Sequence, residues 1–187
     1  MKNVMLWAGA GQIGMAIARR MGAGMKIVVG DKKIENAQAI AKTMNEAGFD
    51  VVPMEMDLSS RESIQALIAE GQKYGPIKML AKRCNEKRVM AQAVELGKRG
   101  ARLNDIAPGI IVTPLALDEF NGPRGDFYKN MFAKCPAGRP GTADEVANVA
   151  ELLMSDKGTF ISGSTFLIDG GATASYFYGP LKPGTET

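Results

Sequence analysis

Three glycines spaced G-x-G-x-x-G, namely Gly9, Gly11 and Gly14, stand where the apolar run Val4-Met5-Leu6-Trp7 gives way to a helical pattern. A strand, a glycine turn and a helix start are what a dinucleotide pyrophosphate needs: a tight turn, close backbone approach, and unpaired N–H groups at a helix N-terminus. Glycine-rich turns also join strands to helices for steric reasons alone, so the spacing needs support from elsewhere. Asp31 supplies some. It ends a second apolar run, 17 positions after Gly14, close to where a carboxylate grips the adenosine ribose hydroxyls in NAD-binding folds. The competing role is an acid at the start of a helix over residues 34–47. Lys32 and Lys33 follow directly and could meet a 2′-phosphate, so Asp31 favours NAD while the lysines keep NADP in view.

The elements that must position these residues follow an α/β grammar. Ile13, Ala16, Ile17 and Met21 fall at helical spacing, and Gly22 and Gly24 end that helix. Residues 51–56 read as a third strand interrupted by Pro53, which suits a sheet edge. Ser59-Ser60-Arg61-Glu62 reads as a capping box ahead of a helix carrying Ile64, Leu67 and Ile68, which stops near Tyr74-Gly75-Pro76. The order β-α-β-α-β-α predicts half of a doubly wound parallel sheet with helices on both faces.

The grammar then breaks. Residues 77–80 should be a fourth strand, yet they run into a helical stretch from Ala81 to about Leu96 with no Gly, Pro, Asp or Ser between. The segment is either one long helix or a strand with an abrupt exit. Lys82, Arg83, Lys87, Arg88, Lys98, Arg99 and Arg102 cluster here, but Glu86 and Glu95 are interspersed and aromatics are absent, so a solvated face is expected rather than a nucleic-acid surface. Further on, 101–106 reads as a strand, Pro108-Gly109 as a turn, and 114–136 as a long irregular loop of the kind that serves as a lid. Thr142-Ala143-Asp144-Glu145 is a second capping box, and Val146, Val149, Ala150 and Leu153 give its helix an apolar face. A last strand over 165–168 ends in Asp169-Gly170-Gly171, and an aromatic tail over 175–187 is expected to dock on a neighbour or drape over the surface.

Composition narrows the functions. The 187 residues, 45% hydrophobic and 23% charged, suit one globular domain with a substantial core, and a net charge of +3 is too small to argue for nucleic acid. Cys84 and Cys135 make no disulfide framework, so a reduced, cytoplasmic setting is expected. No apolar run is long enough to span a bilayer, and residues 1–7 read as the approach to a strand rather than as a signal segment. With no histidine, His general-base chemistry and His metal sites are excluded, and no metal is expected.

Taken together, Asp57-Leu58, Arg102-Leu103-Asn104-Asp105-Ile106-Ala107-Pro108-Gly109 with Thr113, Gly138-Arg139-Pro140 ahead of Glu145-Val146-Ala147, and Ser162-Gly163 with Ile168-Asp169-Gly170-Gly171 resemble the short-chain dehydrogenase/reductase family over nearly the whole chain. The resemblance implies a single three-layer Rossmann-like domain over 1–187 that binds NAD or NADP and acts on a hydroxyl or carbonyl substrate. It implies that Gly9, Gly11, Gln12, Ile13 and Gly14 surround the pyrophosphate, with Asp31 at the adenosine ribose and Asp57 and Leu58 at the adenine. Pro108, Gly109, Ile111 and Thr113 would border the nicotinamide, and the segment 114–136 would close over substrate. It further implies homodimers or homotetramers built through the helix beginning near Lys82 and the one before it.

Two departures stand out. Ala8 occupies the place of the threonine that often opens the family's glycine motif. More consequentially, Lys82 fits the lysine of the family's Tyr-x-x-x-Lys pair, but the residue four earlier is Lys78, and the serine strand and Asn-Ala-Gly turn are missing. A block of about one β-α unit, carrying the catalytic serine and tyrosine, is therefore absent between Leu80 and Ala81. The lack of turn residues at that point favours an ordered subset of a longer dehydrogenase over a true deletion. If the deletion is real, the chain is expected to be a cofactor-binding but catalytically silent domain, or a fragment with interaction roles only.

Overall fold

Five consecutive apolar residues make β1 (Val4–Ala8), and all five are buried. The structure, a computed structural model, describes residues 3–81 and 86–184, which fall into two compact units, Met1–Cys84 and Asn85–Thr187. In the first unit β1 is followed by α1 (Gln12–Met21), β2 (Lys26–Asp31), α2 (Ile34–Glu46), β3 (Asp50–Glu55), α3 (Arg61–Gln72) and β4 (Ile77–Ala81). The strands form one parallel sheet in the order β3-β2-β1-β4, in register Val4↔Lys26 and Val4↔Ile77. Fully buried runs rather than alternating ones are what a parallel sheet covered on both faces requires.

Successive residues of β1 point to opposite faces, and each face meets a helix. On one face Val4, Leu6 and Ala8 pack with Val28, Met56 and Leu67, and α3 lies so close that a Cβ on Gly71 would sit 2.5 Å from Leu6. On the other face Trp7 and Ile27 meet α1, where a Cβ on Gly14 or Gly22 would sit 2.1 Å from the indole or 2.6 Å from the Ile27 side chain. Burying each such large apolar side chain stabilises the fold by about 1.5–3 kcal/mol. Pro53 lies in β3, which has only β2 as its neighbour, so the expected edge placement holds.

Residues 77–81 are a strand, so the reading of 77–96 as one long helix is set aside; a separate helix, α4, covers Glu86–Gly97. The expected box at Ser59 is also corrected. Ser60 is the cap, its hydroxyl accepting from the Ser63 amide at 3.1 Å, while Glu62 accepts from the Ser60 hydroxyl rather than reaching back to a cap amide.

The second unit holds α4, β5 (Asp105–Pro108), α5 (Pro114–Phe120), α6 (Gly125–Lys134), α7 (Ala143–Met154), β6 (Thr165–Ile168) and α8 (Ala172–Tyr178). β5 and β6 pair in parallel as a two-stranded sheet of their own, and α7 packs on β5 through a face of Val146, Ala147, Ala150 and Leu153.

Three expectations change in this unit. The strand begins at Asp105 rather than 101, because the preceding residues are occupied by side-chain bonds: Arg102 donates to the carbonyls of Ile161 and Ser155, and Asn104 donates to Ile161 O while accepting from the Ser164 amide. Arg102 is thus an anchor and not part of a solvated helix face. The segment 114–136 is not irregular. Thr113 caps α5 by accepting from the Ala116 amide at 3.1 Å, Pro114 sits at the first helical position, and Phe120 packs on Tyr128 and Phe132 of α6 at 5.5 and 5.1 Å between ring centroids. The aromatic stretch of the tail, finally, is helix α8, started by Gly171 at φ 84°.

Candidate functional site

In the first unit the chain runs from β1 outward to β2 and β3, then returns to the other side of β1 as β4. Ligands of such sheets bind beyond the carboxyl ends of the strands where the order reverses, and the Gly9–Gly14 loop leaves the carboxyl end of β1.

The three glycines have three different reasons. Gly9 needs its left-handed backbone, at φ 92°. Gly14 needs the absence of a Cβ because the indole of Trp7 fills that space. Gly11 needs neither: it caps α1 in an extended conformation, φ −163°, and a Cβ there would meet nothing within 4 Å. No side chain caps α1 among the described residues. The first helical bond runs from Met15 N to Gly11 O, which leaves the N–H groups of Gln12, Ile13 and Gly14 without intrahelical acceptors. Exposed amides, a helix dipole and open space beside Gly11 fit a pyrophosphate.

The start of the loop, in contrast, is fully tied. Gly9 N donates to Gly30 O at 2.7 Å, the Trp7 indole Nε1 donates to Gly9 O at 2.8 Å, and Ala10 N donates to Asp31 Oδ2 at 2.9 Å. Asp31 Oδ1 accepts from Lys33 N at 3.0 Å and Asn36 Nδ2 at 3.3 Å. Asp31 thus links the glycine loop to the start of α2, as the acid expected ahead of that helix. Three bonds on a carboxylate with about four acceptor positions leave room for a ribose hydroxyl.

Asp57 follows β3 and is joined to this end of the sheet by the Met56 N bond to Asp31 O at 2.9 Å. Its carboxylate accepts from the hydroxyl and amide of Ser59 and pairs with Lys32 Nζ at 2.9 Å. The Ser59 hydroxyl first, and then the Lys32 ammonium, hold Asp57 below the usual carboxylate range, and Asp57 in turn raises Lys32. Leu58 packs against the core below. The structure thus brings the glycine loop, Asp31 and Asp57 together at one end of one sheet.

The remaining expected residues lie in the second unit. Gly109 bonds Ile168 O at 2.8 Å, and a Cβ on it would meet Asp169 at 2.7 Å, so β5 and β6 end in close backbone contact directly after Pro108. Ile111 is buried and bridges Gly141, and the Thr113 hydroxyl is spent on capping α5. Burial pushes Asp169 up, but the Thr173 side chain first, and then the amides of Thr173 and Gly171, outweigh it and leave the carboxyl lowered. Lys82 lies outside the described residues. Among the described residues there is no cluster of metal-ligating side chains and no helix long and apolar enough to cross a membrane. Cys135 is a buried free thiol. The residues that sequence reasoning missed are Trp7 and Ala10, whose roles depend on bonds that no spacing rule encodes.

A family profile described as short chain dehydrogenase matches residues 2–85, and one described as enoyl-(acyl carrier protein) reductase matches 71–173. D-threitol dehydrogenase of Mycolicibacterium smegmatis is 34% identical over 140 residues, 73% of this chain and 48% of that protein. Glucose 1-dehydrogenase of Gluconobacter oxydans is 38% identical over 85 residues, 46% of this chain and 31% of that protein. The chain thus spans about half or less of the length of these curated relatives. Among solved structures, a short-chain dehydrogenase/reductase from Serratia marcescens superposes with TM-score 0.78 at 17% identity, covering 92% of this chain and 98% of its own. An actinorhodin polyketide ketoreductase variant solved with NADPH gives 0.81 at 18% identity, covering 91% and 97%. At these identities the structural likeness concerns the fold, a Rossmann-like parallel sheet.

Proposed function

The chain belongs to the short-chain dehydrogenase/reductase family, and on that premise we propose that its protein is an NAD(P)-dependent oxidoreductase acting on a small-molecule hydroxyl or carbonyl. The observation that carries the dinucleotide half is Gly11, a glycine that the protein's own conformation and packing do not require, set at an uncapped helix start. When bound, the nicotinamide cofactor supplies or takes the hydride. The amides of Gln12, Ile13 and Gly14 hold the pyrophosphate, Asp31 accepts from the adenosine ribose, and Asp57 with Leu58 borders the adenine. Pro108, Gly109, Ile111 and Thr113 border the nicotinamide, Lys82 holds the nicotinamide ribose, and α5 with α6 covers the substrate.

NAD is the preferred cofactor. A 2′-phosphate would face the Asp31 carboxylate, and Lys32, the nearest cation in sequence, is already paired with Asp57. Replacing Asp31 with Ala is expected to weaken NAD binding more than NADP binding; equal weakening in parallel titrations overturns this preference.

The proton-transfer half, a serine and a tyrosine, lies in a block outside this sequence. Two features support that reading: the family profiles hand over within 71–85, around the junction of Leu80 with Ala81, and the chain spans about half or less of the length of the curated relatives. The two units are then halves of one domain, assembled as a homodimer or homotetramer in a reducing, cytoplasmic compartment. Titrating the protein with NADH and following nucleotide fluorescence tests the cofactor site, where saturation is expected and its absence refutes the reading. An intact mass of the natural protein well above 20.0 kDa is expected; a mass at that value leaves a cofactor-binding domain without turnover.

A further inference from the structure

Every polar backbone group between Gly9 N and Ala10 N is held by another part of the first unit, and one of the three ties comes from a side chain inside the sheet. Trp7 is 1% exposed, lies on the α1 face of β1, and donates its indole N–H to Gly9 O at 2.8 Å. The same indole fills the space that a Cβ on Gly14 would take, 2.1 Å from Nε1. One rigid ring therefore touches both ends of the G-x-G-x-x-G loop. Its donor fixes the plane of the Gly9–Ala10 peptide, and its face sets how close the first turn of α1 approaches the sheet.

We propose that Trp7 is a positioning residue for the pyrophosphate site, presetting the amides of Gln12, Ile13 and Gly14 so that little loop ordering is left for binding. This rests on the dinucleotide reading of the preceding section. Preorganised donors raise affinity by lowering the entropy lost on association, so loss of the indole N–H acts on binding as well as on folding. Because Trp7 is the sole tryptophan of the chain, tryptophan emission reports the surroundings of this ring alone.

The test uses the full chain and ADP-ribose, which carries the pyrophosphate but no nicotinamide to interfere optically. Calorimetry and Trp7 emission are followed in the wild type, and calorimetry in Trp7→Phe, which keeps an aromatic ring but lacks the donor. Expected are a Trp7 emission maximum that stays in place at calorimetric saturation, as a preset loop requires, and binding about three- to ten-fold weaker in the folded variant, the net worth of one hydrogen bond. A shift of the Trp7 emission maximum at calorimetric saturation, which would mean that binding rearranges the loop, or a folded W7F that binds as tightly as wild type, overturns the proposal. If W7F does not fold, the emission titration decides alone. If the wild type shows no calorimetric binding, the dinucleotide reading itself fails and takes this role of Trp7 with it.

Discussion

The starts of α1 and α7 are chemical opposites. At α7 the Thr142 hydroxyl accepts from Glu145 N at 3.2 Å, Glu145 accepts from Thr142 N at 2.8 Å, and Arg139 grips the same carboxylate through both terminal nitrogens at 3.0 and 2.6 Å. The positive end of that helix is neutralised from within. At α1 no described side chain performs this task, and the backbone leading to it is immobilised instead. A capped terminus maximises the stability of the free protein; an uncapped one on a rigid lead-in reserves its donors for a ligand.

The largest test of this contrast is to cap α1. Gly11→Asp places an acceptor at an extended cap position with open space around it, so the free protein is expected to keep or slightly raise its melting temperature. Dinucleotide affinity is expected to fall about 100-fold, since like charges would meet at the pyrophosphate. Calorimetry and thermal melts on one sample separate the two effects, and unchanged affinity would place the phosphate elsewhere. Next, Gly14→Ala forces a methyl group into the indole of a fully buried Trp7; the expected loss is about 1–3 kcal/mol of stability by denaturant titration.

Smaller effects are expected at α7. Thr142→Ala should cost about 1 kcal/mol and lower the melting temperature by about 2–4 °C, leaving NADH titrations unchanged. The smallest effect is the acid response. The Arg139 guanidinium first, then the Thr142 amide, lower Glu145 from 4.5 to about 2. A depressed carboxyl contributes its stability above its unfolded value and loses it as pH falls through the folded one. Wild type should therefore lose its advantage over Glu145→Gln between about pH 4.5 and 2, read as converging melting temperatures. A constant difference across that window would mean that the ion pair contributes nothing.

The same contrast explains what could be read in advance. The first unit was legible because each strand and helix before β4 ends in, or is followed within three residues by, Gly, Pro, Asp or Ser, and because β1 and the middle of β2 are apolar. The box at Thr142 was legible because capping is local. The tie from Trp7 to Gly9 was not, since a buried indole bonding two residues ahead has no periodicity to betray it. α5 and α6 were hidden for a related reason. They are short, they are split by Gly122, Pro123 and Gly125, and they cohere through Phe120, Tyr128 and Phe132 rather than through one apolar stripe. The start of β5 was misplaced because Arg102 and Asn104 look like strand entry but act as anchors to the turn at 161–164.

Pro53 closes the account of the sheet. Lying in the outermost strand, β3, it presents no amide hydrogen along its free side, so a strand from another molecule cannot complete a ladder there. At the far side β4 carries Ile77-Lys78-Met79-Leu80-Ala81, with no proline to interrupt pairing. Pairing with another strand is thus blocked chemically at β3, while the residues of β4 carry no such block.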